Sequence, residues 1–176
     1  MASSLVGKIE TDVDIKASPE EFHTIFKHRP HHISNVSSDK IQGCELHEGE
    51  WGTVDKDKVA KEIVEAVDEK NNLITFRVIE GDLMEHYKTF KITVHCLPKP
   101  QGKQGSIVHW TLEYEKLHNE IIDPHTLVQF CVDVSKDLDV HLSEDQTSTP
   151  SKQQPLDPHQ RRVQYFLLHI YVCMCL

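Results

Sequence analysis

Three histidines, His28, His31 and His32, crowd one short stretch, and neutral imidazole is a common metal ligand. Pro30 stands among them and breaks the helix that would align an i, i+4 pair, and no carboxylate–histidine spacing completes a site. They read as solvated histidines, and neither a metal nor a cofactor is expected. Tyr87, Lys88 and His109 carry groups suited to acid–base chemistry, but no motif joins a nucleophile to its base, so no catalytic residue is assigned. Cys44, Cys96, Cys131, Cys173 and Cys175 are odd in number and contain no C-x-x-C, which points to neither a disulfide framework nor a zinc site. The acidic loop at 47–53 holds Gly49, Trp51 and Gly52 but lacks the Gly-Lys-Ser/Thr ending of a phosphate-binding loop. Its glycines permit a tight backbone path. Trp51 is either a contact at a cavity rim or a packed anchor of that loop.

The remaining chemistry is apolar, and it depends on the elements that present it. Residues 123–142 read as a long helix, with Asp123 at the N-cap and Pro124 at the first helical position. At 100° per residue, Leu127, Phe130, Cys131, Val134, Leu138 and Leu142 fall in one stripe, away from Asp133, Lys136 and Asp137. Three strands precede it. Residues 73–79 put Ile74, Phe76 and Val78 on one face; 86–96 put Phe90, Ile92, Val94 and Cys96 opposite Tyr87, Thr89, Lys91, Thr93 and His95; and 106–117 put Val108, Trp110, Leu112 and Tyr114 opposite His109, Thr111, Glu113 and Glu115. In the last of these, His109 or Thr111 is the alternative inward choice.

Nearer the N-terminus, residues 5–16 alternate as a half-buried strand with Leu5, Ile9, Val13 and Ile15 on one face. Ser18-Pro19-Glu20-Glu21 then forms a capping box ahead of Phe22, Ile25 and Phe26, a short helix ending near Pro30. Residues 31–38 suit a further helical turn, and 40–46 a short strand. Periodicity over 58–69 slightly favours a helix, although Val59, Ile63 and Val67 also suit one side of a strand.

A chain of 176 residues, 38% hydrophobic and 27% charged, suits a single domain with a real core. Its 28 acidic and 19 basic residues give a net charge of −9, which disfavours nucleic acid and anionic membranes as partners. The first residues show no signal core or Arg-rich presequence, so a cytoplasmic location is expected.

Several stretches together are specific. Glu48-Gly49-Glu50-Trp51-Gly52-Thr53-Val54, Ile79-Glu80-Gly81-Asp82-Leu83-Met84, Gly105-Ser106-Ile107-Val108-His109-Trp110 with Leu112-Glu113-Tyr114-Glu115-Lys116, and the run Phe130-Cys131-Val132-Asp133-Val134-Ser135-Lys136-Asp137 closely resemble the major latex protein branch of the Bet v 1-like (birch-pollen-allergen-like) plant family. The resemblance covers residues 1 to about 143 and implies an α+β helix-grip fold: a curved antiparallel sheet around a long C-terminal helix, with an apolar cavity between them. It also turns 58–67 into a strand. Cytosolic proteins of this branch resemble carriers of hydrophobic small molecules linked to defence and stress.

On that basis the expected ligand-binding cavity is lined by Ile74, Phe76, Phe90, Ile92, Trp110, Leu127, Cys131, Val134 and Leu138, and the expected partner is a hydrophobic small molecule. The same residues also suit a filled core, which periodicity does not distinguish. A metabolite-converting enzyme on this fold is the alternative.

The chain departs from the family pattern twice. Thr53-Val54 passes directly into Asp55-Lys56-Asp57-Lys58, so a strand is missing after Val54. Residues 146–176 have no family counterpart: a disordered linker rich in Ser, Thr, Gln and Pro leads to an apolar run at 163–176, shorter than the roughly 20 residues that span a bilayer. Both departures fit an impaired splice variant or a mispredicted product. The domain is therefore expected to be 1–145, with 146–176 an atypical tail that could serve a protein contact. The tail could partly substitute by pairing with the gap in the sheet, although its composition offers no alternating register for that.

Overall fold

The computed structural model describes residues 5–28, 33, 36–37, 41–47, 59–100, 102–145 and 165–170. Strand β1 (Val6–Ile15) leads into helix α1 (Pro19–His28), followed by β2 (Ile41–His47), β3 (Val59–Asp68) and β4 (Leu73–Gly81). A 3-10 turn at Asp82–Glu85 connects to β5 (Tyr87–Pro98), and then come β6 (Ser106–Lys116), the long helix α2 (His125–Asp145) and β7 (Tyr165–Ile170). The strands form one antiparallel sheet in the order β1-β6-β5-β4-β3-β7-β2. This is the helix-grip α+β fold, and residues 59–68 are a strand as the family resemblance requires. Among the described residues, no helix is long and apolar enough to cross a membrane.

Local chemistry accounts for much of this. The Ser18 backbone N–H and hydroxyl both donate to Glu21 Oε2, at 3.0 and 2.9 Å, while Glu21 N–H donates to Ser18 Oγ at 3.3 Å, so the capping box forms in full. Ser37 N–H donates to the Ile33 carbonyl at 2.9 Å, closing a helical turn within the expected 31–38 segment. Along β1 the burial alternates, with Val13 and Ile15 inside. Across from it, Gly7 pairs with Tyr114, and a Cβ at Gly7 would run into the tyrosine ring. Only glycine leaves room for that ring to lie against β1.

The start of the long helix differs from expectation. The Pro124 carbonyl accepts from Val128 N–H at 3.2 Å, which makes Pro124 the cap and His125 the first helical residue. Asp123 does not cap the helix, because its carboxylate is held by the Tyr114 hydroxyl at 2.7 Å and Lys116 Nζ at 2.6 Å. In the stripe, Leu127, Cys131, Val134 and Leu138 are buried, whereas Phe130 and Leu142 are half-buried at its margins.

Two strand facings also change. Tyr87 was expected outside with Thr89, but the pairing of β5 with β6 shifts between these two residues and turns Tyr87 inward, where it is buried. In β3 the residue facing the core is Glu62, with Val64 packed against the core beside it, while Val67 is exposed. The inner face is thus the even-numbered one, opposite to the Val59, Ile63 and Val67 side.

The tail supplies the largest departure. Strand β7 lies between β3 and β2, pairing Ala60 with Leu168 and Ile63 with Tyr165 on one side, and Leu46 with Phe166 and His47 with Tyr165 on the other. That is the sheet position a strand following Val54 would take in a meander. The tail thus takes up the pairing that the sequence offered as an alternative, without the alternation it lacks: backbone hydrogen bonds form the ladder, and they need no side-chain alternation. The expected linker, the Gly49, Trp51 and Gly52 loop and the gap after Val54 fall outside the described residues, as do His31 and His32.

Candidate functional site

Three sets of polar contacts hold α2 over the sheet. At its N-terminal end, Tyr114 and Lys116 of β6 grip Asp123, and Tyr87 donates to the Ile122 carbonyl at 2.9 Å. Lys116, then Tyr114, keeps the Asp123 carboxyl below its usual pKa, whereas burial raises that of Tyr87 to about 12. Midway, Trp110 Nε1–H donates to Ser135 Oγ at 2.8 Å, and the serine hydroxyl donates on to the Cys131 carbonyl at 2.8 Å. Near the other end, Asp139 Oδ1 accepts from the backbone N–H groups of Lys16 and Ala17 at 2.8 and 2.9 Å, and Ser37 Oγ bonds Asp137 Oδ2 at 2.8 Å.

Between helix and sheet lies one buried apolar cluster. Ile74 and Phe76 reach it from β4, Phe90 and Ile92 from β5, Trp110 from β6, and Leu127, Cys131, Val134 and Leu138 from α2. All nine residues picked out from the sequence thus come together. Phe26 of α1 closes one side, with its ring 5.8 Å from Trp110 in an edge-on arrangement and 6.4 Å from Phe76. The backbone of α2 approaches β1, β6 and α1, with no comparable approach to β3, β4 or β5 among the described residues. The helix lies toward the β1–β6 side of the sheet, which leaves the inner faces of β3, β4 and β5 as the wider side.

The acid–base trio is not assembled. Tyr87 points inward, whereas Lys88 is exposed and bonds Glu115 at 2.9 Å. His109 is only partly buried and lies on the β1 side, with Nδ1 2.6 Å from Asp12 and Nε2 3.4 Å from Glu10. Asp12, then Glu10, raises its pKa against the opposing effect of burial. Tyr87 pairs with Lys116, and strand between positions 109 and 116 spans about 23 Å.

Sequence reasoning missed the polar group inside the cluster's wide side. Glu62 is 4% exposed, and its Oε1 has no hydrogen-bond partner among the described residues. Burial lifts its pKa to about 7. Its charge is felt on α2: burial chiefly, and the Glu62 carboxyl next, push the Cys131 thiol pKa up. Alternation within the strand gave no signal for it, because the pairing of β3 with β4 shifts between Lys61 and Glu62.

Comparison with known proteins agrees with this architecture. Residues 4–145 match the model of the Pathogenesis-related protein Bet v 1 family. The chain is 57% identical over 162 residues to MLP-like protein 28 of Arabidopsis thaliana, covering 85% of this chain and 48% of that protein. It is 55% identical over 152 residues to MLP-like protein 43 of the same plant, covering 80% and 96%. The chain thus spans about half the length of the former relative and nearly all of the latter. Ginseng major latex-like protein 151 from Panax ginseng has a TM-score of 0.68 at 36% identity, covering 78% of this chain and 98% of that one. Norcoclaurine synthase from Thalictrum flavum, with a TM-score of 0.55 at 18% identity over 77% of this chain and 95% of that one, is a likeness of fold alone.

Proposed function

Because the chain belongs to the Pathogenesis-related protein Bet v 1 family, within its major latex protein branch, we propose that it is a reversible, non-covalent binder of hydrophobic small plant metabolites. The ligand lies between the sheet and α2, against Ile74, Phe76, Phe90, Ile92, Trp110, Leu127, Cys131, Val134 and Leu138. The observation that carries this reading is the one-sided seating of α2, whose backbone follows β1 and β6 while the faces of β4 and β5 remain apolar. An apolar interior with few polar groups accepts many ligands at modest affinity. The proposal extends to a cytosolic carrier role in defence or stress, with residues 1–145 as the binding domain. The separation of Tyr87, Lys88 and His109 favours carriage over conversion.

Titration with an apolar fluorescent probe tests the site. Phe76→Asp, in a protein that retains its circular dichroism spectrum, is expected to abolish the fluorescence gain; an unchanged titration overturns the placement. Incubation with plant extract followed by mass spectrometry separates the classes, since a carrier returns its compound unaltered whereas an enzyme yields product with turnover.

A further inference from the structure

The buried carboxyl of Glu62 has no part in holding the fold that the described contacts reveal. It stands in a row across the inner face of the sheet: Glu62 pairs with Val78, Val78 with Phe90, and Phe90 with Tyr114. Val78 and Phe90 are buried and apolar. A one-residue irregularity between Lys61 and Glu62 sets this facing, and such bulges re-aim side chains. Oε1 is thus a buried hydrogen-bonding atom on the wide side of the interior, unmatched among the described residues. Leaving such an atom unmatched is costly, and a ligand that matches it recovers the cost.

We propose that Glu62 is the polar anchor of the binding site and that it selects apolar molecules carrying a basic amine over neutral or acidic molecules of the same shape. This rests on the carrier reading and names its ligand class. An ammonium group donates to the carboxylate in a charge-assisted hydrogen bond, roughly twice as strong as a neutral one. An alcohol offers only a neutral donor, and a carboxylate meets like charge. The ammonium must also leave water, so the expected gain is far below the full Coulomb attraction.

Proton balance follows from the same chemistry. Below neutral pH, Glu62 holds its proton in the free protein, because burial is the cause acting on it. Binding of RNH3+ leaves Glu62 ionised against the ammonium and releases the carboxyl proton to solvent. The other buried titratable groups on the packed elements are Cys131 on α2, Tyr87 and Cys96 on β5, Tyr114 on β6 and His23 on α1, together with the buried Oδ2 of Asp82 on the 3-10 turn. Tyr87 and Tyr114 are engaged with the Ile122 carbonyl and Asp123, and His23 is held beside Leu73 at the far end of the β3–β4 hairpin.

Isothermal titration calorimetry of the full chain with decylamine, decanol and decanoate tests the proposal. Decylamine is expected to bind about tenfold more tightly than decanol, with decanoate weakest. In Glu62→Gln, amine and alcohol should fall within about threefold of each other. Buffers of different ionisation enthalpy should report nearly one proton released per amine at about pH 6 and almost none at about pH 8.5, with amine affinity rising about tenfold between them. Equal binding of amine and alcohol by the native chain overturns the anchor while leaving the carrier reading intact, and so does an amine preference that survives in Glu62→Gln. Failure of all three compounds to bind overturns both. If Glu62→Gln does not fold, proton release by the native chain decides alone: release independent of pH refutes the assignment.

Discussion

Trp110 donates its indole N–H to the Ser135 hydroxyl at 2.8 Å, and both side chains are buried. A buried indole N–H needs an acceptor, and a serine on the facing helix turn supplies it. Ser135 in turn bonds back to the Cys131 carbonyl four residues earlier, which fixes its rotamer. The bond sets the rotation of α2 relative to β6 at the middle of the apolar cluster.

Ser135→Ala should therefore cost about 1–3 kcal/mol, because it leaves the Trp110 N–H buried without its acceptor. Urea unfolding measures the difference. A change below about 0.5 kcal/mol, the range of ordinary surface substitutions, would show that the bond does not hold the helix.

Glu62 gives stability a pH dependence of known sign. Burial raises its pKa from 4.5 to about 7, so between these values the folded chain keeps a proton that the unfolded chain has lost. Stability consequently falls as pH rises through that window, by roughly 3 kcal/mol in all at about 1.4 kcal/mol per pH unit. Glu62→Gln should be the more stable form at about pH 8 and nearly equal to the parent at about pH 4.5. Parallel urea titrations at the two pH values test this, and a variant-to-parent difference that stays constant with pH would count against a buried acid at this position.

A chain ending at Asp145 loses β7 and exposes the facing edges of β2 and β3, which β7 otherwise pairs. Unpaired edges lose ladder hydrogen bonds and invite association with other chains. The truncated chain should melt at least about 3 °C lower, the shift expected for a loss of one or more kcal/mol in a domain of this size. Restoring a strand after Val54 in the truncated chain should recover the loss. Equal melting temperatures for full and truncated chains would show that β7 contributes nothing to the sheet.

The long helix, the capping box at Ser18–Glu21 and the faces of β1, β4 and β6 were legible in the sequence because each is set by local periodicity or by a cap three residues wide. The same periodicity selected nine of the residues that are buried in the apolar cluster, since a residue on the inner face of a strand or helix has few other places to go.

What the sequence left undecided depends on partners distant along the chain. Asp123 has the chemistry of a cap, yet Tyr114 and Lys116 hold its carboxylate. Tyr87 turns inward because β5 slips against β6, and Glu62 does so in a strand whose pairing with β4 is irregular. A one-residue shift reverses a strand's facing, and alternation within that strand cannot reveal a shift set by its neighbour. The place of β7 is the extreme case. A ladder is built from backbone groups that every residue carries, so only the tertiary structure decided that residues 165–170 enter the sheet between β2 and β3.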